Sequence, residues 1–258
     1  MAETGRAVSF RRQDRVALIT IERHERRNTI DATVGFELAD ACLEARRDEG
    51  VWAVVLTGAG ETFCAGTDPE ALAMATGDPG LLSTLRAAEP VGRIEKPVIA
   101  AMNGDALDQG LELALACDLR VASGSAQYGL TQLERGAIPW DGGTQRLPRL
   151  IGQSRAIEML LASRRVSADE AWSIGLVNLV VEPAEVLSRA MELASEIAGH
   201  GPIATRYVKE AVDKGLDLTL EQGLRLEADL SFLLQSTTDR AEGIASFLER
   251  RSPDYMGQ

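Results

Sequence analysis

Apolar and polar positions along this chain follow two periods. Val16 to Glu22 (VALITIE) and Val51 to Thr57 (VWAVVLT) are short runs rich in β-branched residues and predict strands. Asp31 to Asp48 carries apolar residues at Val34, Leu38, Ala41, Cys42 and Ala45, the spacing of one helical face. Pro69 to Ala75 reads as a helix ended by Gly77-Asp78-Pro79-Gly80, and Leu81 to Glu95 as a second, amphipathic one. From Pro97 to Ser123 the text PVIAAMNGDALDQGLELALACDLRVAS predicts a strand, a turn at Asn103-Gly104, a compact helix over Gly110 to Cys117 and a strand from Asp118 to Ala122. Strand, glycine turn and helix recur at irregular intervals, which argues for an α/β core with parallel pairing.

Beyond Ile138 the pattern becomes helical. Gln153 to Leu161 is a helix, Ser167-Ala168-Asp169-Glu170 is a capping box opening another that stops at Gly175, and Asn178 to Val181 is extended. Helices are expected over 183–199, 203–214, 219–234 and 238–250. No Gly/Ser linker intervenes, so residues 1–182 read as the core and 183–258 as a helical subdomain packed on it. The apolar stripe Leu216, Leu218, Leu220, Leu224, Leu226, Leu230, Phe232 and Leu233 is expected to face mainly the core, with another subunit as the alternative partner.

Glu112 is the exception to the pattern. It is the one acid in a helix that is apolar on nearly every side, and an unpartnered ionised carboxylate out of water costs several kcal/mol. Either it lies on a narrow polar face or near the positive end of its own helix, or it is there for chemistry.

Composition narrows the classes. Of 258 residues, 45% are hydrophobic and 26% charged, the profile of a globular protein, and a net charge of −12 opposes binding to phosphate backbones. No apolar run approaches the ~20 residues of a membrane span, and the N-terminus lacks the apolar core of a signal peptide. A cytoplasmic protein without nucleic-acid or membrane partners is expected. Cys42, Cys64 and Cys117 fall at no metal-ligand spacing and read as packed thiols; neither His24 nor His200 has a neighbouring acid or cysteine set, so no metal site is expected. Gly58-Ala59-Gly60 lacks the third glycine of a dinucleotide fingerprint.

Five strings in order, FCAGTD, AAMNG, ELALACDLRVA, IPWDGGTQRLPRLIG and ADEAWSIGLVN, resemble the crotonase family, the enoyl-CoA hydratase/isomerase superfamily, over essentially the whole chain. The resemblance implies a crotonase-like spiral of repeated ββα units with a C-terminal helical subdomain, assembly as trimers or pairs of trimers, and no cofactor beyond the coenzyme A carried by an acyl-CoA substrate. It also implies an oxyanion hole in which two backbone N–H groups hold the thioester oxygen as an enolate forms. By position these are the amides of Thr67 and Gln109. The family usually has glycines at 108 to 110, and here only Gly110 remains; any residue but proline keeps the amide.

Glu112 matches the first of the two glutamates that handle the attacking water in family hydratases, and desolvation would raise its pKa toward neutrality. The position of the second holds Gln132, which can hold a water but not exchange a proton. Asp141 is the nearest replacement acid, or else an N-cap for the helix Gly142 to Leu150. Trp140 would flatten the acyl pocket or simply pack, and Glu134 reads as solvated. Arg23, Arg26 and Arg27 match the loop near the CoA phosphates, where Arg can bind bidentately; Ala65, Gly66 and Asp68 would line the pantetheine path. Hydration of a 2-enoyl-CoA, a lyase reaction, is the leading expectation. Double-bond isomerisation, acyl-CoA hydrolysis and non-catalytic acyl-CoA binding are the alternatives.

Overall fold

A computed structural model describes residues 5–258. Two sheets organise it. The larger has six strands, β1 (Val8–Gln13), β2 (Val16–Ile21), β3 (Ala53–Gly58), β5 (Val98–Met102), β7 (Leu119–Ser123) and β10 (Leu179–Val181), in that spatial order. Only β1 and β2 pair antiparallel; the other neighbours are parallel. β3 and β5 are buried at every position, as expected of parallel strands covered on both faces.

The smaller sheet orders β4 (Thr62–Cys64), β6 (Asp105–Leu107), β8 (Gln127–Gly129) and β9 (Arg165–Ser167), with β9 antiparallel to β8. Each turn of the chain places one strand in the large sheet, the next in the small sheet, and then a helix: β3, β4 and Pro69–Ala75; β5, β6 and Gln109–Leu115. This is the repeated ββα arrangement that the resemblance implies. The four small strands and β1 escape the periodicity because three-residue strands are too short to show alternation, and β1 is polar along its exposed end.

Two apolar clusters flank the large sheet. Helix Ala32–Arg47 packs Val34, Leu38 and Cys42 on one side with Phe63, Leu111 and Tyr128. Helix Val186–Ile197 packs Val186, Ala190 and Ala194 against Val55, Ile99 and Val121 on the other. That helix therefore belongs physically to the core, although it lies beyond residue 182.

Two expectations are corrected. Leu81 to Glu95 is not one helix but two short ones, Pro79–Thr84 and Ala88–Gly92, because Arg86 and Ala87 turn the chain so that Ala87 and Ala88 donate to Asp141. The stripe from Leu216 to Leu233 does not face the core: Leu216, Leu220, Leu224 and Phe232 are exposed, and only Leu230 is buried. Helices Pro202–Gly215 and Leu220–Leu234 pack on each other and leave that face open. No helix among the described residues is long and apolar enough to cross a membrane.

Candidate active site

The candidate residues gather where parallel strands of the small sheet end. Thr67 follows β4, Gln109 follows β6 and Gln132 follows β8, so one edge collects three loops, as is usual at the carboxyl ends of parallel strands. Glycines make the approach possible. Gly66 has φ +105, and Gly110 lies so close to β4 that a Cβ would sit 2.1 Å from the Cys64 carbonyl oxygen.

Hydrogen bonding leaves two amides free there. Ile30 donates to the Gly66 carbonyl and accepts from Asp68 N–H, both at 2.8 Å, which skips Thr67 N–H. Gln109 opens its helix, where an amide has no intrahelical acceptor. Neither amide has an acceptor among the described residues.

Asp108 and Gln109 send their side chains to different partners. Asp108 stands at φ 51, ψ −122, a backbone region that costs a non-glycine residue on the order of 1–3 kcal/mol. Its carboxylate is held by Thr131 N–H (2.6 Å), Thr131 hydroxyl (3.0 Å) and Arg135 (2.5 Å), which ties the helix start to the turn after β8. Gln109 turns the other way and is fully buried. Its Nε2 donates to Leu85 O (2.5 Å) and to Asp141 Oδ2 (3.0 Å), and its Oε1 accepts from Thr67 Oγ1 (2.7 Å).

Glu112 is completely buried, which excludes the exposed polar face, and its partners come from elsewhere in the chain. Oε1 accepts from Asp141 N–H and Gly143 N–H at 2.8 Å each, and Oε2 accepts from Gln132 Nε2 at 3.2 Å. Burial pushes its pKa up to about 7; the two amides oppose that shift, and the nearby charges of Asp141 and Asp108 add to it. Gln132 brings a second feature: its Oε1 is buried with no hydrogen-bond partner among the described residues. A buried acceptor left open is costly and calls for a donor from outside the protein, such as a water or a substrate group.

Asp141 does not cap the helix behind it. The cap position of Gly143–Ile151 is Gly142, and the Asp141 carboxylate reaches Ala87 N–H (2.8 Å) and Ala88 N–H (2.9 Å) at the start of helix Ala88–Gly92. With Gln109 Nε2 this gives one oxygen three donors. Trp140 is half-buried beside it, and Glu134 is exposed.

The remaining candidates form a polar rim. Asp68 caps helix Pro69–Ala75 through Glu70 and Ala71 N–H and pairs with Arg26 (3.2 Å) and Arg23 (3.6 Å). Burial alone would raise its pKa, but those amides and guanidiniums together hold it below the usual carboxylate range. Arg23 is largely sheltered, bonded to Asp31 and to the Thr29 carbonyl, whereas Arg26 is more than half exposed and Arg27 pairs with Asp105. Ala65 is half-buried and Gly66 buried beside them. A cavity of about 250 Å³ opens next to this rim, lined by Arg26, Asp68, Ala71, Met74, Thr84 and Leu85. Cys42, Cys64 and Cys117 are buried free thiols, each pushed up to about 12 by burial.

Sequence reasoning missed Leu85, Ala87 and Thr131 as parts of this site. They contribute backbone groups, and no side-chain pattern announces those. The signal that could have found them is the pair of polar residues at 108 and 109, each of which needs a partner once buried.

Comparison with known proteins identifies the family. The family model described as enoyl-CoA hydratase/isomerase matches residues 11–258, and the chain belongs to that family. It is 42% identical over 250 residues to a putative enoyl-CoA hydratase/isomerase of Bacillus subtilis, covering 95% of this chain and 96% of that one. It is 39% identical to the (E)-benzylidenesuccinyl-CoA hydratase of Thauera aromatica, with 97% and 99% covered. The crystal structure of an enoyl-CoA hydratase from Bacillus anthracis superposes with a TM-score of 0.92 at 40% identity, covering 98% of this chain and all of that one.

Proposed function

We propose that this protein hydrates a 2-enoyl-CoA to a 3-hydroxyacyl-CoA. The observation that carries the reading is Glu112: a fully buried carboxylate poised at about 7, adjoining an open acceptor on Gln132 and close to two unbonded amides. A group with a pKa near the working pH exchanges protons most efficiently.

In this reading the N–H groups of Thr67 and Gln109 donate to the thioester oxygen and stabilise the negative charge that develops as water attacks, each such donor being worth about 3 kcal/mol. Gln132 Oε1 accepts one hydrogen of the water and orients it. Ionised Glu112 takes the other hydrogen as the water oxygen bonds to C3. The resulting enolate collapses by taking that same proton from Glu112 at C2, so one carboxylate returns to its starting state and water has been added. Gln132 exchanges no proton at any step. Asp141, with one oxygen already accepting three hydrogen bonds, is a positioning residue for Gln109 and for the loop that presents its own N–H to Glu112.

Arg26, more than half exposed and lining the cavity beside the rim, is placed to meet a CoA phosphate, with Arg23 supporting it through the shared Asp68. The exposed apolar face that includes Leu216, Leu220, Leu224 and Phe232 is a surface through which copies of the chain would associate as a trimer or hexamer. A second reading, double-bond isomerisation, is favoured by Gln132 alone, since one carboxylate is enough to move a proton between two carbons.

An absorbance assay on crotonyl-CoA together with a calorimetric titration of a saturated acyl-CoA tests the proposal. Loss of the enoyl absorbance with formation of 3-hydroxybutyryl-CoA is expected. Tight binding without turnover of any enoyl-CoA would make the protein a binder, and turnover of 3-enoyl but not 2-enoyl thioesters would make it an isomerase.

A further inference from the structure

The Gln109 side chain does more than fill the place of a glycine. It leaves the start of helix Gln109–Leu115, crosses to the Thr67 hydroxyl, and ends on the Leu85 carbonyl and the Asp141 carboxylate. Both its oxygen and its nitrogen are satisfied, and it is fully buried. Asp141 in turn binds Ala87 and Ala88 N–H and donates its own N–H to Glu112. The Gln109 side chain is thus linked to Glu112 through Asp141, and it anchors the segment that begins at Leu85. Leu85, itself buried, is among the residues lining the 250 Å³ cavity that opens beside Arg26 and Asp68.

We infer that the side chain of Gln109 is the floor of the acyl site and sets an upper limit on acyl length, selecting short-chain acyl-CoA thioesters. The inference rests on the acyl-CoA reading above. Its physical basis is steric. The space on that side of Glu112 is occupied by the bulk of a side chain instead of being open, and the three hydrogen bonds show where that bulk lies. The backbone N–H at 109 is unaffected by what the side chain is, so length selection and the oxyanion donor are separable at one residue.

Saturated acyl-CoAs from butyryl to decanoyl, which cannot react, read the pocket by calorimetry without requiring turnover. Each methylene that finds apolar space tightens binding about fourfold. In the unaltered protein the gain is expected to stop among the shortest members. In Gln109→Gly, which frees room for on the order of two methylenes, it should continue, improving the ratio of decanoyl to butyryl affinity about tenfold or more. Gln109→Ala is the second variant should the glycine loosen the helix start, and it should shift the ratio in the same direction. Gln109→Met keeps the bulk without the hydrogen bonds and should keep the limit. An unchanged chain-length profile in both Gly and Ala variants, or a profile in Gln109→Met that matches Gln109→Gly, overturns the role of Gln109 while leaving acyl-CoA binding intact. Absence of binding of any acyl-CoA by the unaltered protein overturns the acyl-CoA reading and this inference with it.

Discussion

The two walls of the site obey different rules. One is made of backbone: the amides of Thr67 and Gln109, aimed by strand ends and by glycines that have no room for a side chain. The other is made of side chains: Glu112 and Gln132, fixed by amides of the 141–143 loop and by each other. On the first wall Asp108 and Gln109 carry polar side chains, and the amides of Thr67 and Gln109 have no acceptor among the described residues. On the second, Gln132 offers an open hydrogen-bond acceptor and cannot give or take a proton. An amide donor survives any substitution but proline, whereas what a side chain can exchange depends on its identity.

The largest effect should come from breaking the second wall. Glu112→Gln is expected to lower turnover of crotonyl-CoA by about 10²–10⁴-fold with little change in acyl-CoA affinity, as loss of an acid/base group does. The same variant should reveal what burying the acid costs. Because the folded pKa of about 7 exceeds the ordinary 4.5, the native state binds the proton more tightly than the unfolded state. Stability is therefore lost as pH rises from 4.5 through 7 and then levels, by roughly 3 kcal/mol. Denaturant unfolding at pH 5 and pH 8 should show Glu112→Gln gaining on the parent protein at the higher pH only.

Asp141→Ala removes an acceptor shared by three donors and should lower stability by about 1–3 kcal/mol in denaturant titration. Asp141→Asn, which keeps an acceptor, should recover most of that and keep turnover within about tenfold. Gln132→Glu sharpens the comparison from the other side. A second carboxylate against Glu112 should raise its pKa further and move the acidic limb of the pH–rate profile upward by about one unit. Least of all should follow from Thr67→Ala, which keeps the donor amide: crotonyl-CoA turnover should stay within about tenfold of the parent.

The same division explains what was legible in the sequence. Long elements were, because helix Ala32–Arg47 and strands β3 and β5 carry a full period or a continuous apolar run. So was Glu112, whose charge contradicts its surroundings. The small sheet was not, since three residues hold too little pattern, and the turn at 85–88 was hidden inside an amphipathic run that satisfies helical spacing. The fate of Asp108 and Gln109 was invisible for another reason. Which way a polar side chain turns from a helix start depends on acceptors and donors far off in the chain, here Thr131 and Arg135 for one, and Thr67, Leu85 and Asp141 for the other. The exposed stripe near residues 216–233 was read inward because apolar spacing says that a face is covered, not by what.

The most direct test is a crystal structure of the protein with acetoacetyl-CoA, a short and unreactive thioester. The account requires the thioester oxygen within hydrogen-bond reach of both Thr67 N–H and Gln109 N–H, with Glu112 facing the neighbouring carbons. A thioester oxygen turned to solvent, or bonded to any other donor, would contradict it.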